Sequence, residues 1–336
     1  MKFLKSLNQF LIGILAAVFL GWLFAEAGAK GGLLRTEITT KIAVFIIFLN
    51  QGLTLPTEEL KQGFLQWRFH LFCFLFIFLF FPGMTGLGLL ALHPLFGSAD
   101  WWTADIQRGF LYLGILPTTI TTAVVYSGKS GGNVGSAIFS TAFTNIAGIF
   151  IVPLAVLFLA SSLQILEAGG SYSAIPVIQK ILLLLFLPFV VGQLLRPLTK
   201  KWIDGHKAWI RNTNVYLVYF MVFAAFANSF QQETWAQFPL FFLVLVFLLT
   251  GVLLLFFSGT AWLFVSALGF NRGDRISGFF CASQKTLAAG IPLASSIFIG
   301  SRPDIGLVIL PLMIYHPLQL ILHGYFVGRW EKTAPE

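Results

Sequence analysis

The sequence predicts an all-α protein that crosses a membrane many times. Of its 336 residues, 57% are hydrophobic and only 10% are charged, whereas a soluble globular domain carries about 25% charged residues. The apolar residues form about ten runs, each near the roughly 20 residues that an α-helix needs to cross about 30 Å of hydrocarbon. Two of these runs, one in each half of the chain, are interrupted by polar residues, glycine or proline.

The ten predicted spans form two sets of five. The first set covers 9–27, 39–55, 66–92, 108–127 and 131–161, and the second covers 174–196, 213–230, 237–268, 276–300 and 304–328. Because five is odd, the second set enters the membrane from the opposite side, which is the condition for an inverted-topology repeat. The predicted organisation is a first five-helix repeat at 1–161, a link with the start of the second repeat at 162–212, the second repeat at 174–328 and a cytoplasmic tail at 329–336.

The distribution of Lys and Arg predicts the orientation, because cytoplasmic connections are enriched in these residues. With both termini inside, 14 of the 21 Lys and Arg residues lie inside and six outside, and one lies in the membrane. The longest basic connection, Arg196 to Arg211, then joins the two halves in the cytoplasm. We expect a multi-pass protein of the inner (plasma) membrane in contact with lipid. Since the basic residues form no continuous stripe with aromatic residues, nucleic acid is not an expected partner.

The interrupted run in the second half holds four consecutive polar residues, Ser283, Gln284, Lys285 and Thr286. An ionisable side chain at membrane depth costs about 2.5–3.5 kcal/mol on the most lenient insertion scale, so it persists only where it is paired, hydrated or used. Lys285 is therefore the first candidate for a functional residue. A lysine that only pins helices together is the alternative.

The interrupted run in the first half is centred on Pro117. Proline has no N–H group and disfavours helix at the preceding residue, while threonine hydroxyls can bond freed backbone groups or a solute. Further candidates are the polar residues of this run and of later runs, namely Thr118, Thr119, Thr121, Thr122, Asn133, Thr141, Asn145 and His316. Each of them can instead serve only as a hydrogen bond between helices, and His316 can be a satisfied histidine at a helix kink rather than a proton carrier.

Motifs for enzymes and for ATP coupling are missing. The sequence contains no HExxH, GxSxG or Walker motif and no pair of intramembrane carboxylates. Ser283 and Lys285 are two residues apart, and on a helix this spacing directs them to different faces, so they do not form a Ser–Lys pair. Cys73 and Cys281 lie in apolar runs and indicate neither a disulfide framework nor a metal site. Two broken spans in corresponding positions of the two halves favour a secondary transporter.

Four segments carry a resemblance to a known family. They are GLTL at 52–55, GILPTT at 114–119, GGNV at 131–134 leading to Thr141, and SQKTLA at 283–288. Together with the order of the spans, they resemble the bile acid:sodium symporter family, and most closely its divergent branch of sodium/bile-acid-symporter-like transporters. The resemblance covers nearly the whole chain.

The resemblance implies a ten-helix fold with a panel domain and a core domain. The panel would contain the first, second, sixth and seventh spans, and the core the other six. The fourth and ninth helices would be broken and would cross near the midplane, where members of the family hold two sodium ions beside an organic anion. The core would shift relative to the panel in alternating access.

Only part of the family's sodium-ligand set is carried over. Thr141 matches a threonine ligand on the fifth helix and Gln284 matches a glutamine on the ninth. Thr121 or Thr122 falls near a Ser-Asn pair that this chain lacks. The family's glutamate on the ninth helix falls on Phe280, and its glutamine on the third helix falls on Ile77.

We therefore expect a secondary active transporter that moves a small organic anion by alternating access. Lys285 would replace a coupling cation or carry a proton at the crossing of the fourth and ninth helices. One alternative is a sodium-coupled organic-anion symporter in which Thr141 and Gln284 bind the metal ion. Another is a non-transporting membrane regulator or scaffold. No cofactor is expected beyond Na⁺ or H⁺ as a coupling ion.

Overall fold

A computed structural model of the chain describes residues 2–55, 66–162, 179, 182–298 and 304–331. In these residues the regular secondary structure is helical throughout, as the sequence predicts. The principal helices are α1 Lys2–Leu23, α2 Thr36–Thr54, α3 Trp67–Phe96, α4 Ala104–Ile115, α5 Ile120–Lys129, α6 Val134–Ser162, α7 Leu187–Gln231, α8 Leu240–Ala267, α9 Arg272–Ser283, α10 Leu287–Ile297 and α11 Ile305–Glu331. Short helical turns lie at Ala25–Gly28 and Thr234–Gln237, and π-helical turns lie at Phe76–Phe80 within α3 and at Leu182–Phe186 before α7.

Five of the described helices are long and apolar enough to cross a membrane, namely α3, α6, α7, α8 and α11. A sixth span is formed by α4 and α5 if the pair, which is bent by 51°, counts as one. The other predicted spans fall on α1, whose apolar part is Ile12–Leu23, on α2, and on α9 with α10. The described residues thus form a multi-pass membrane protein, while the full set of ten spans in an inverted repeat remains a prediction.

Helix α7 contains the end of the predicted sixth span and the whole of the predicted seventh. Its backbone leaves helical geometry at His206 (φ −118°, ψ 17°). Asn50 on α2 donates a hydrogen bond to Asn214 at 2.7 Å, and a Cβ on Gly52 would lie only 3.0 Å from the Cα of Gly192. Residues 192 and 214 would be about 33 Å apart in a straight helix, yet both contact neighbouring positions on α2. The chain of α7 therefore reverses direction at His206 and forms two antiparallel arms.

The segment from Arg196 to Arg211, which the sequence analysis takes as a connection between spans, contains the reversal at His206 and is helical on both sides of it. Lysine and arginine are good helix formers, so basic residues alone do not end a helix. The guanidinium of Arg196 is buried and donates to the carbonyl oxygen of Leu53 at 3.2 Å, near the end of α2.

The described chain divides into two compact units. The first combines Met1–Leu55, Leu157–Pro239 and Ala288–Ile309. In it α7 packs against α1 and α2, and a Cβ on Gly192 would lie 2.4 Å from the carbonyl oxygen of Leu49. Glycine at this position therefore lets two helix backbones approach each other directly.

The second unit combines Pro56–Val156, Leu240–Leu287 and Leu310–Glu336. Aromatic side chains fill much of its interior, and the rings of Phe81 on α3 and Phe257 on α8 stack with their centroids 3.4 Å apart. Both interruptions that the sequence predicts, and all of the predicted site residues, belong to this unit.

Each unit takes segments from both predicted repeats. The repeat boundaries at 1–161 and 174–328 remain a prediction. Residues 163–178 of the predicted link and 332–336 of the predicted tail lie outside the described residues. The last helix continues past the predicted end at 328 to Glu331.

Candidate functional site

The first helix break separates α4 from α5 at residues 116–119. Leu116, which precedes Pro117, has extended backbone angles (φ −62°, ψ 145°), as expected for a residue before proline. Thr119 is also extended (φ −78°, ψ 134°), and its hydroxyl oxygen accepts the N–H of Thr122 at 3.4 Å, which caps the start of α5. The break predicted around Pro117 is confirmed.

The second break separates α9 from α10 at residues 284–286, and it also confirms the prediction. Gln284 has extended angles (φ −81°, ψ 152°) immediately after the last residue of α9. Backbone groups freed from a helix at membrane depth need other partners, because no lipid group can satisfy them. The N–H of Thr286 donates to the carbonyl oxygen of Pro117 at 3.1 Å. The two breaks are therefore in direct backbone contact.

Lys285 joins the second break to the end of α4. Its fully buried ammonium donates to the carbonyl oxygens of Gly114 and Leu116, both at 2.7 Å. The nitrogen also lies 3.8 Å from the centroid of the Phe81 ring, whose electron-rich face attracts a cation. These three partners match the three donors of an ammonium group.

The ammonium of Lys285 lies at the C-terminal end of a helix, which attracts a cation. Gly114 and Leu116 lie at the C-terminal end of α4, where the helix dipole places a partial negative charge. Among the described residues, no carboxylate pairs with Lys285. The carbonyls and the aromatic ring thus hold the charge without neutralising it.

Helix α11 supplies the partners of the second break. The hydroxyl of Tyr315 donates to the carbonyl oxygen of Ser283 at 2.7 Å. The amide of Gln319 accepts the N–H of Lys285 at 2.7 Å and donates to the carbonyl oxygen of the same residue at 2.8 Å. Nδ1 of His316 lies 3.1 Å from that oxygen. These side chains replace the hydrogen bonds that an unbroken helix would provide.

Sequence reasoning identified His316 but missed Tyr315, Gln319 and His323. The signal that could have found them is their spacing, because residues four and eight apart lie on one face of a helix. A stripe of Tyr315, Gln319 and His323 in an otherwise apolar span indicates a polar partner on the facing element.

A chain of polar side chains runs from the first break to α8. Thr122 donates to Oε1 of Gln284 at 2.8 Å, and its hydroxyl lies 2.6 Å from that of Thr119. Nε2 of Gln284 lies 3.2 Å from Nδ1 of His323, and Nε2 of His323 lies 3.1 Å from the hydroxyl of Ser258. Gln284 and His323 are completely buried. This polar chain connects α5, α8 and α11 through the second break.

Helix α6 holds the other side of the first break. The amide nitrogen of Asn145 donates to the carbonyl oxygens of Thr118 and Thr141 at 2.7 and 2.8 Å. The hydroxyl of Thr141 donates to the carbonyl oxygen of Ile138 at 3.1 Å. The hydroxyl of Thr118 is buried and has no hydrogen-bond partner among the described residues. It is therefore an unused donor within the break.

Two of the predicted site residues lie away from the breaks. Thr121 is exposed, because one residue along α5 rotates a side chain by about 100° from the direction of Thr122. Asn133 lies at the start of α6, where its side chain donates to Asp274 at 2.8 Å and its N–H donates to the carbonyl oxygen of Gly273 at 3.1 Å. The structure thus does not bring the side chains of these two residues together with the other candidates, and their part in the site stays a prediction.

The two positions onto which the family resemblance places acidic or amide sodium ligands are apolar in this structure. Phe280 and Ile77 are fully buried, and the ring centroid of Phe280 lies 5.5 Å from that of Tyr126. No group of three or more His, Cys, Asp or Glu side chains in the described residues could hold a metal ion. Oxygen ligands near the breaks would have to come from hydroxyl, amide and backbone groups.

The sequence is similar to known transporters over nearly its whole length. Residues 8–332 match the SBF-like CPA transporter family. YfeH of Escherichia coli (strain K12), provisionally named a symporter, is 32% identical over 342 residues, covering 100% of this chain and 96% of YfeH. Sodium/bile acid cotransporter 7-A of Xenopus laevis is 30% identical over 329 residues, with 95% of this chain and 90% of the relative covered. Sodium/bile acid cotransporter 7 of Mus musculus is 30% identical over 328 residues, with 95% and 91% covered. These matches confirm the resemblance seen in the interrupted spans: the chain belongs to the SBF-like CPA transporter family and is a membrane transporter, not an enzyme.

Proposed function

We propose that this protein is a secondary active transporter for a small organic anion, with its site where the two helix breaks meet. The observation that carries the proposal is the buried ammonium of Lys285, which no carboxylate of the described residues neutralises. An uncompensated positive charge at membrane depth is costly. An anionic solute beside it would offset that cost.

The surroundings of Lys285 also favour an anion. Helix α5 begins at the first break, and the helix dipole places a partial positive charge at its N-terminal end. The hydroxyl of Thr118 adds a buried donor without a partner among the described residues. We place the anion beside Thr118, Thr119 and Thr122.

Lys285 acts as a built-in cation in this proposal. Its three donors are occupied by two carbonyl oxygens and the face of Phe81, so it supplies charge to the site without binding the solute itself. A sodium ion about 4 Å away would be repelled by about 4 kcal/mol at an effective dielectric constant of about 20. Transport would therefore not require sodium.

The family resemblance implies alternating access, in which a core domain shifts relative to a panel domain. The first compact unit contains the predicted first, second, sixth and seventh spans, which the resemblance assigns to the panel, and also Ala288–Ile309, where the predicted ninth span ends and the tenth begins. The second unit contains both breaks and the rest of the spans that the resemblance assigns to the core.

A sodium-coupled symporter is the second candidate. It is favoured by the relatives named sodium/bile acid cotransporters and by the side-chain oxygens of Thr141 and Gln284. In this candidate Na⁺ would bind near the breaks despite the ammonium of Lys285.

The test is uptake of radiolabelled taurocholate into proteoliposomes, with sodium or with potassium as the external cation. We expect equal uptake in both media. Strict sodium dependence would establish the second candidate. Because the solute could be another organic anion, a parallel thermal-stability screen of mono- and dicarboxylates, sulfates and sulfonates on the purified protein should find at least one that raises the melting temperature. No stabilising anion would contradict the proposed solute class.

A further inference from the structure

With the amide of Gln284 oriented as in the structure, the polar chain from Thr119 to Ser258 has one consistent arrangement of hydrogens. Since Thr122 donates to Oε1 of Gln284, the amide nitrogen faces His323 and donates to its Nδ1. A ring nitrogen that accepts a hydrogen bond carries no proton. Neutral His323 therefore holds its proton on Nε2, which donates to the hydroxyl of Ser258.

The same argument determines the donors in the first break. The hydroxyl hydrogen of Thr122 is used on Gln284, so Thr119 is the donor in the 2.6 Å contact between the two threonines. Both hydroxyl hydrogens are thus directed into the polar chain. Only lone pairs on the two threonine oxygens remain for a solute, and lone pairs repel an anion.

We propose that His323 binds one proton together with each anion and is the coupling site of the transporter. A proton taken from water adds to the lone pair of Nδ1, so the ring becomes an imidazolium and no bond is broken. Nδ1 is then a donor, and the amide of Gln284 turns so that Oε1 accepts from it. The amide nitrogen now donates to Thr122, and Thr122 donates to Thr119. The hydroxyl hydrogen of Thr119 becomes available to the anion.

Electrostatic attraction couples protonation of His323 to binding of the anion. The imidazolium gains one positive charge as the solute brings one negative charge, so each binding event favours the other, and this linkage is reciprocal. The transported complex gains no net charge. Lys285 does not need to exchange a proton, because its donors stay with Gly114, Leu116 and Phe81.

No charged side chain of the described residues contacts the ring of His323, although the ammonium of Lys285, next to Gln284, opposes a second positive charge nearby. Its ring contacts Ser258 on α8, Phe279, Phe280 and Ser283 on α9, and Gln284 in the break. The nearby titratable groups are Lys285 in the second break, Tyr126 on α5, and Tyr315 and His316 on α11. Each of these is bonded elsewhere: the hydroxyl of Tyr126, for example, donates to the carbonyl oxygen of Leu320 at 3.1 Å.

The first test reads hydrogen positions directly and needs no solute. The protein, labelled with ¹⁵N-histidine and ¹³C,¹⁵N-glutamine, is titrated in lipid bilayers from pH 8 to pH 3.5 by solid-state NMR. The signal of His323 among the five histidines is identified by its loss in His323→Asn. His206→Asn, at an exposed histidine, is the control and should leave the signals of His323 and Gln284 unchanged.

At pH 8 we expect a protonated Nε2 and a bare Nδ1 on His323. When the imidazolium forms, the side-chain signals of Gln284 should shift with the same midpoint. A protonated Nδ1 at pH 8, or Gln284 side-chain signals that do not follow the titration of His323, would each overturn the proposal.

The second test rests on the proposed function. Taurocholate stays ionised across the pH range used, so it does not cross the bilayer as a neutral acid. With one proton per anion, an inward gradient of one pH unit in sodium-free medium should support about ten-fold accumulation. His323→Asn keeps an acceptor for Gln284 but cannot take up the proton, so its accumulation ratio should fall to about one. Accumulation by His323→Asn equal to the wild type would overturn the proposal. Absence of uptake by the wild type would count against taurocholate as the solute, and the NMR titration would still decide the role of His323.

Discussion

Replacing Lys285 with alanine is the sharpest test of the built-in cation. The change leaves the carbonyl oxygens of Gly114 and Leu116, each now bonded at 2.7 Å, without their donor. A buried unsatisfied polar group costs about 1–3 kcal/mol, so the two together cost about 2–6 kcal/mol. Because about 1.4 kcal/mol corresponds to a factor of ten, the population with both breaks in contact should fall by about 30-fold to about 10⁴-fold.

Arginine should not rescue the site. A planar guanidinium is larger than an ammonium and presents its donors in a fixed fork, whereas the two carbonyl oxygens and the ring of Phe81 surround a single nitrogen atom. Lys285→Arg should therefore lose transport although it keeps the charge.

The assay is taurocholate uptake in sodium-free medium together with the melting temperature of the purified protein. Lys207→Ala is the matched control, since this exposed lysine pairs only with Asp204 at 2.9 Å on α7. Exposed ion pairs contribute about 0–1 kcal/mol, so the control should keep its uptake and its melting temperature. Full uptake by Lys285→Ala would refute the built-in cation, and full uptake by Lys285→Arg would refute the requirement for a single nitrogen atom between the two carbonyl oxygens and Phe81.

Three further predictions concern topology, packing and access. A reporter that is active only outside the cytoplasm, fused to the C-terminus, should give no signal, and a strong signal would reverse the proposed orientation. Gly192→Ala should lower the melting temperature, because the added Cβ would lie 2.4 Å from the carbonyl oxygen of Leu49 and overpacking costs about 1–3 kcal/mol. The control is Gly251→Ala on α8, where the added Cβ meets open space and the effect should be neutral or slightly stabilising. Equal effects of the two substitutions on the melting temperature would contradict the close approach of α2 and α7. Cysteines placed at Thr119 and Gln284 should react with a small water-soluble thiol reagent in at least one transport state, whereas inertness of both under all conditions would favour a scaffold over a transporter.

The sequence alone determined the class of the protein and the position of both breaks. A chain with few charged residues and many long apolar runs is suited to a membrane, where its backbone groups form hydrogen bonds within helices. Pro117 excludes helix at Leu116 for a local steric reason. Lys285 stood out because an ionisable residue in a long apolar run is costly to bury, which can be seen before its partners are known.

The tertiary structure decided which groups form hydrogen bonds with the residues of the two breaks. Lys285 contacts Gly114 and Leu116, which are 171 and 169 residues away, and no local pattern specifies such a distant contact. Helical periodicity shows which residues share a face, so the stripe that contains Gln319 and His323 could have been found from the sequence. The sequence does not show that this stripe faces Lys285 and Gln284.

Two local details of the structure could not be predicted for the same reason. Thr121 and Thr122 are adjacent threonines in one motif, and only the packing of α5 decides that Thr122 contacts Gln284 while Thr121 is exposed. The segment from Arg196 to Arg211 has the composition of a connection, yet it remains helical on both sides of His206. The contacts of both α7 arms with α2 reveal the reversal at His206. Composition sets which residues can lie in a membrane or at its surface, whereas the direction of each side chain depends on the helix that packs against it.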